Sequence, residues 1–197
     1  ENTTKDGNGV GVAIEGEYPV KFNMSGGSIS DNKILNESGE GSGAGVCVFG
    51  DGQGNVQFNM SGGSITGNSN PCTDEDAYGG GGICAVMADV NIDNSKSTTP
   101  ISISGNSAVI GGGIVFLVAS NLNIAGNPRI ENNVASSYGG GIAENPIYAR
   151  YGDVTFNVEG SPYIQGNTVN TGKEGQDPYA SNLCLGDRKV NVTGTLG

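Results

Sequence analysis

The chain has 197 residues, including 36 Gly and no His or Trp, and its formal net charge is −11. This length can bury the core of one domain, which we expect to span residues 1–197. The negative charge argues against a nucleic-acid partner, no apolar run is long enough for a membrane helix, and without His the chain lacks the commonest general base and metal ligand.

The predicted elements form a repeat whose first copy begins near the start of the chain. Its three pieces are Gly-Val at 11–12, Phe-Asn-Met at 22–24 and Ile-Ser-Asp-Asn at 29–32. Alternation of apolar and polar residues predicts a strand in each piece. The eight residues 22–29 recur unchanged at 58–65, which identifies an internal repeat.

Later copies follow in chain order. The first piece recurs at Gly45-Val46, Gly82-Ile83, Gly113-Ile114, Gly141-Ile142 and, in degenerate form, Leu183. The second recurs at Phe58/Met60, Val90/Ile92, Leu122/Ile124, Phe156/Val158 and Val190/Val192. The third ends at Asn32, Asn68, Asn106, Asn133 and Asn167. Copies of this third piece are 36, 38, 27 and 34 residues apart.

This repeat predicts an all-β fold, a parallel β-helix (solenoid) of about five coils with three short strands per coil. Equivalent strands would stack about 4.8 Å apart and bury their apolar rows in one core. The Asn of each coil would bend the backbone and bond to the Asn above and below. Leucine-rich repeats and propeller blades fit less well, since the Leu consensus is missing and only three strands per repeat are found.

The phrases Gly-Gly-Gly-Ile and Ile-Ser-Gly-Asn, at 111–114 and 103–106, resemble the repeat of right-handed parallel β-helix proteins of bacterial cell surfaces. The polymorphic outer-membrane and adhesin-like proteins are the nearest type, and the resemblance covers nearly the whole chain. It implies a right-handed solenoid, a secreted or cell-surface location, and contact with a glycan or protein of a host or cell surface. Because the last repeat breaks off within a coil, we expect a fragment of a longer protein.

Insertions follow three of the Asn residues, at 33–42, 69–78 and 168–182. They leave the coil at the same corner, so they should cluster on one edge as a binding side or as tolerated loop drift. Another corner carries residues 94–100 and 144–152. Within the latter, Tyr148, Arg150 and Tyr151 could form a sugar-stacking platform or could cover the edge of the core.

Three consecutive acidic residues, Asp74, Glu75 and Asp76, lie in the second insertion. Carboxylate oxygens suit calcium, so these residues are a candidate calcium site and the sequence calls for no other cofactor. They lack the spacing of an EF-hand loop and the nine-residue repeat of calcium-binding β-rolls. A solvated acidic loop is the alternative.

Cys47, Cys84 and Cys184 occupy the same place in their coils, and Cys72 lies in the acidic insertion, where we expect it to be exposed. Cys47 and Cys84 should be neighbours, either as a small apolar stack or as a disulfide. Cys72 could instead pair with either of them. Without His or a Cys-x-x-Cys motif, zinc is not expected.

The sequence favours a non-catalytic, adhesin-like surface module that presents a rigid binding face, with glycans as candidate ligands. A structural spacer in a larger surface protein is one alternative. A polysaccharide lyase or hydrolase is another, because many parallel β-helices have these activities. Hydrolases need paired carboxylates at a set separation, whereas the acids here fall mainly in loops.

Overall fold

The computed structural model describes residues 1–37, 41–51, 53, 55–73, 78–145, 147–148 and 151–196. The chain is a parallel β-solenoid of about five turns, which confirms the predicted fold class. No helix within these ranges is long and apolar enough to cross a membrane.

The strands, in chain order, are β1 Thr3–Thr4, β2 Gly7–Asn8, β3 Val12–Glu15, β4 Val20–Ser30, β5 Lys33–Ile34, β6 Gly41–Ser42, β7 Val46–Phe49, β8 Val56–Thr66, β9 Ser69–Asn70, β10 Ile83–Val86, β11 Asp89–Asp93, β12 Ile101–Ser104, β13 Ser107–Ile110, β14 Ile114–Leu117, β15 Asn121–Ala125, β16 Arg129–Glu131, β17 Val134–Tyr138, β18 Ile142–Glu144, β19 Thr155–Gly160, β20 Tyr163–Gln165, β21 Thr168–Val169, β22 Tyr179–Ala180, β23 Leu183–Cys184 and β24 Val190–Leu196.

Three sheets run along the solenoid. Sheet I has the order β3-β7-β10-β14-β18-β23 and contains the Gly-Val and Gly-Ile pieces. Sheet II contains β4, β8, β11, β12, β15, β16, β19, β20 and β24. Sheet III has the order β1-β5-β9-β13-β17-β21-β22, and β2 pairs separately with β6. The strand pairs are parallel except for β21 with β22.

The division into sheets differs from the repeat pattern in one respect. The Phe-x-Met and Ile-x-x-Asn pieces share sheet II, because β4 and β8 run through both of them. Five strands of sheet III, β5, β9, β13, β17 and β21, directly follow the Asn of a third piece, and the sequence places three of them, β5, β9 and β21, in insertions. These residues extend the coil because their backbone N–H groups bond to the Asn carbonyl of the preceding coil, as Ser69 does to Asn32 at 2.9 Å.

The core consists of apolar rows whose members are register partners in successive coils. One row in sheet II is Phe22, Phe58, Val90, Leu122, Phe156 and Val190. A second is Ile29, Ile65, Ile103, Ile130 and Ile164, and sheet I supplies Val12, Val46, Ile83, Ile114, Ile142 and Leu183. Side chains of the middle coils are fully buried, so each coil relies on its neighbours for its core.

The inner Asn ladder is a continuous chain of side-chain hydrogen bonds in the bend between sheets II and III. The Nδ2 of Asn68 donates to Oδ1 of Asn106 at 2.9 Å, and the amide of Asn106 bonds in the same way to Asn133 at 3.0 Å. The full ladder is Asn2, Asn32, Asn68, Asn106, Asn133, Asn167 and Asn182. The structure therefore shows the stacking that the repeat predicts and adds a rung at each end.

An outer Asn ladder runs along the solvent face of sheet II. Its members sit between the two apolar residues of each Phe-x-Met piece, and they are Asn23, Asn59, Asn91, Asn123, Asn157 and Asn191. Here the Nδ2 of each later Asn donates to Oδ1 of the earlier one, at 2.8 Å for Asn91 and Asn59. The outer ladder thus ties the coils together on the solvent face of sheet II, and the inner ladder ties them together at the bend between sheets II and III.

Gly is required where the coils approach most closely. A Cβ at Gly113 would lie 2.6 Å from the carbonyl oxygen of Gly141 and 3.0 Å from Nδ2 of Asn133. A Cβ at Gly82 would lie 2.5 Å from the carbonyl oxygen of Gly113. The Gly residues at the start of sheet I strands therefore let the inner Asn ladder and the next coil pack against bare backbone.

Candidate functional site

The three insertions meet in one groove over the outer face of sheet III, at the corner that the sequence indicates. We call it the insertion groove, with a volume of about 270 Å³. Each insertion supplies a wall residue, and the sheet supplies the floor; these residues include Glu37, Thr73, Asn170, Ser69, Ser107 and Val134. The loops after Asn32, Asn68 and Asn167 therefore act together on one surface.

Hydrogen bonds fix two of the walls to each other. The backbone N and the Oγ1 of Thr73 both donate to the carbonyl oxygen of Glu37, at 2.7 and 2.9 Å. On the floor, the Oγ of Ser107 donates to the Oγ of Ser69 at 3.0 Å. The groove thus presents hydroxyl groups and the Asn170 amide beside small apolar side chains. Such a surface suits a ligand that carries both hydroxyl groups and C–H faces.

The structure brings Tyr148 and Tyr151 together, with ring centroids 6.1 Å apart. Tyr148 also meets Tyr78 edge-on at 4.9 Å, and Tyr78 lies 6.2 Å from Phe49. Tyr148 packs over the outer face of sheet I, whereas Tyr151 is 59% exposed. Arg150 lies outside the described residues. Tyr148 therefore covers the core edge, and Tyr151 remains accessible to a ligand.

All four cysteines are thiols in the structure. Cys47 and Cys84 are register partners on the outer face of sheet I, buried with Val115 beneath Tyr78 and Tyr148. Burial, and the hydrogen bond with Cys47, raise the pKa of the Cys84 thiol well above its ordinary value. The two thiols are thus stacked with Val115 in one row, and a disulfide between them stays a prediction.

The expectation that Cys72 is exposed is wrong. Its side chain is 2% exposed and packs with Ile34 and Ala44 in a separate apolar cluster. Its Sγ donates to the carbonyl oxygen of Asn36 at 3.2 Å. The insertion folds back onto the end of sheet III, which places Cys72 inside and in a different cluster from Cys47 and Cys84.

Asp74, Glu75 and Asp76, the candidate calcium ligands, lie outside the described residues. Within the described ranges, no group of three or more His, Cys, Asp or Glu side chains could hold a metal ion. The calcium site stays a prediction.

Arg129, Glu131 and Tyr163 form an ordered surface group that the sequence did not reveal. Arg129 and Tyr163 are register partners in β16 and β20, and the guanidinium lies 4.0 Å from the ring centroid. The Nε and Nη2 of Arg129 donate to the two carboxylate oxygens of Glu131 at 2.9 and 2.8 Å. These bonds lower the pKa of Glu131 and raise that of Arg129. Arg129 and Tyr163 are 34 positions apart in the sequence, and only the length of the coil between them could have indicated that they are neighbours.

A second charged group lies at the end of β18, near the C-terminal end of the core. Glu144 is the register partner of Phe116 and is only 4% exposed. Arg188 donates from Nε to Glu144 at 2.9 Å and from Nη1 to Asp153 at 2.8 Å. The hydrogen bond to Glu144, followed by that to Asp153, raises the pKa of Arg188. Arg188 and Glu144 thus satisfy each other's hydrogen-bonding groups at the place where Glu144 follows Phe116 in its row of sheet I.

The fold and the insertion groove define a parallel β-solenoid with loops gathered on one side of a regular scaffold. No protein-family model matches this sequence, and no curated protein or solved structure matches it at a significant level.

Proposed function

We propose that this chain is a non-catalytic, adhesin-like surface module that binds a glycan through the insertion groove. The observation that carries the proposal is the meeting of three insertions, from separate coils, around one groove of hydroxyl and amide groups. Insertions gathered on one face of a solenoid are often its binding side. Because sheet III forms the floor, the scaffold holds the polar groups in place before the ligand arrives.

A secreted or cell-surface location accompanies this proposal. It rests on the resemblance of the Gly-Gly-Gly-Ile and Ile-Ser-Gly-Asn repeats to bacterial surface proteins, and the net charge of −11 is consistent with it, since it favours solubility. The partner would be a glycan, or a protein that carries one, on a host or neighbouring cell.

The positions of the carboxylates support a binding role over a catalytic one. Hydrolysis of a glycosidic bond uses two carboxyl groups on opposite sides of the scissile bond. In the described part of the insertion groove, Glu37 is the one carboxylate among the lining residues. Glu131 and Glu144 lie elsewhere, and each bonds to an Arg. Turnover of an acidic polysaccharide in the presence of calcium would revive the lyase or hydrolase alternative.

A structural spacer is the second candidate function, and the inner Asn ladder favours it. The ladder joins Asn2 to Asn182 through hydrogen bonds in every coil, so the solenoid is suited to holding its ends at a fixed distance. A spacer needs no ligand, so a test of glycan binding distinguishes a spacer from a glycan-binding module.

A glycan array probed with the whole chain tests the proposal. We expect a reproducible hit that Thr73→Val and Asn170→Ala both weaken, because each removes a polar group from a different wall. Thr193→Val, which removes an exposed hydroxyl from β24, is the matched control and should leave the hit unchanged. No hit with the wild-type chain would favour the spacer. A hit that survives both groove variants but is lost in Tyr151→Ala would move the site to the tyrosines.

A further inference from the structure

We propose that a second saccharide site lies between residues 94–100 and the Arg129–Tyr163 pair, and that it selects neutral sugars with adjacent hydroxyl groups. We call it the Arg129 groove. The inference takes its ligand class from the proposed function, but it uses no residue of the insertion groove. It would make the module bivalent, so that one glycan chain or a cell surface could engage two sites at once.

The Arg129 groove is large enough for a saccharide unit. Its volume is about 520 Å³, and its lining includes Asn94, Ser97, Pro100, Asn127 and Tyr163 in addition to Arg129. An adjoining hollow of about 420 Å³ shares Asn94, Ser97, Asn127 and Ser161 with it. Small-ligand sites in proteins typically have volumes of about 300–1,000 Å³.

One wall of the Arg129 groove is held in shape by Asn94, whose side chain is buried. Its Oδ1 accepts a hydrogen bond from the backbone N of Asn127 at 2.9 Å. Its Nδ2 donates to the carbonyl oxygen of Thr99 at 3.4 Å. A Cβ at Gly126 would lie 2.4 Å from Oδ1 of Asn94, so only Gly permits this approach. The insertion 94–100 is therefore fixed against the next coil and does not need to order itself on binding.

The Arg129–Glu131 pair indicates the charge of the ligand. Arg has five N–H donors, of which Glu131 takes one from Nε and one from Nη2. Arg129 lines the groove, whereas Glu131 is its partner two residues along β16 and is not among the lining residues. Two adjacent sugar hydroxyls can accept hydrogen bonds from the remaining guanidinium donors. Glu131 already balances the positive charge of Arg129. An anionic sugar is therefore attracted less strongly to Arg129 than it would be to an unpaired Arg.

Tyr163 and the exposed polar residues complete the recognition surface. The Tyr163 ring supports the guanidinium from below and restricts its movement. Asn127 and Ser161 are exposed, and neither side chain bonds to the part of the chain that the structure describes. Their amide and hydroxyl groups can therefore bond to a ligand without giving up an existing partner. The apolar atoms of Pro100 and Ile101 provide a surface for the C–H face of a pyranose ring.

Isothermal titration calorimetry on the whole chain tests this inference. The neutral probes are cellohexaose and mannohexaose, and hexagalacturonate is the acidic probe. We expect at least one neutral probe to bind and hexagalacturonate to bind more weakly. Arg129→Gln and Asn127→Ala should each weaken the neutral interaction roughly tenfold, because each removes hydrogen bonds to the sugar. Lys21→Gln removes a positive charge from β4 of the same sheet and should have no effect.

The outcomes separate this inference from the proposed function. If a neutral probe binds, and Asn170→Ala abolishes binding while Arg129→Gln and Asn127→Ala do not change it, the insertion groove is the sole site and the inference is overturned. Tighter binding of hexagalacturonate than of every neutral probe also overturns it. If no hexasaccharide binds and the glycan array shows no hit, the proposed function fails as well. Arg129 and Asn127 are exposed, so Asn127→Ala should keep the wild-type unfolding midpoint and Arg129→Gln should lower it only by the small contribution of one exposed ion pair.

Discussion

Arg188 donates a hydrogen bond from Nε to Oε1 of Glu144, and in doing so it joins the last segment of the chain to a position 44 residues earlier. Glu144 continues a row of sheet I whose preceding members, Val48, Ala85 and Phe116, face the core. A carboxylate at this position would be unfavourable without a cation, since burial of an unpaired charge is costly. The chain therefore closes this row with an ion pair.

Arg188→Met should destabilise the fold because it leaves Glu144 buried without its cation. We expect a loss of about 2 kcal/mol in the free energy of unfolding, less than for a fully buried pair, because the Arg188 side chain is 27% exposed. Urea denaturation followed by circular dichroism measures this loss. The double variant Glu144→Gln with Arg188→Met should recover part of it. An Arg188→Met midpoint equal to that of the wild type would show that the pair is not stabilising.

The two Asn ladders should differ in their contribution to stability. Asn106 is fully buried, and its side chain bonds to Asn68, Asn133 and the carbonyl oxygen of Ile65, so Asn106→Ala leaves several buried groups unsatisfied. We expect a loss of about 3 kcal/mol. Asn123→Ala in the outer ladder is the matched control and should cost below about 1 kcal/mol, because water can replace the lost bonds. Equal losses in urea denaturation would contradict this distinction.

The spacing of the coils at sheet I should not tolerate a side chain at Gly113. Gly113→Ala places a methyl group 2.6 Å from the carbonyl oxygen of Gly141, so the coils must separate locally or the ladder must shift. We expect a loss of roughly 2 kcal/mol or more in thermal or urea unfolding. Gly26→Ala is the control, since its Cβ would meet no atom within 4 Å. A destabilised Gly26→Ala with an unchanged Gly113→Ala would refute the argument.

The Arg129–Glu131 pair should persist well into the acidic range. Because hydrogen bonds from Arg129 lower the pKa of Glu131, the folded carboxyl stays ionised below the pH at which an ordinary Glu protonates. The pair therefore contributes fully above the usual Glu pKa and is lost as the pH falls through the lowered value. Carbon-detected NMR titration of the Glu131 carboxyl measures this pKa. Arg129→Gln should return it toward the ordinary value, and an unchanged titration would contradict the assignment.

Sequence reasoning predicted the features that repeat. The apolar rows, including Val90 in the coil with the insertion and Leu183 in the last coil, are register partners as expected. The apolar rows could be predicted from the sequence because the same position of every coil is buried and therefore carries an apolar residue each time. The meeting of the three insertions followed from the same regularity, since all of them leave the coil after an Asn.

Features formed once, by residues distant in sequence, could not be predicted in the same way. Sheet III was missed because Ser69 and Asn70 show no apolar alternation; backbone bonds to the preceding coil hold them instead. The pairing of Arg129 with Tyr163 depends on the length of the coil between them. The burial of Cys72 depends on how its loop folds back, which leaves no periodic signal in the sequence.

The directions of hydrogen bonding in the two ladders have an electrostatic consequence. In the inner ladder each amide donates toward the later coil, from Asn68 to Asn106, whereas in the outer ladder each donates toward the earlier coil, from Asn91 to Asn59. Aligned amide dipoles add along a row, so each ladder alone would give the solenoid a positive and a negative end. Because the rows point in opposite senses, their fields oppose each other along the axis. The solenoid can therefore gain coils without building up a side-chain dipole, and its length is not limited by that electrostatic cost.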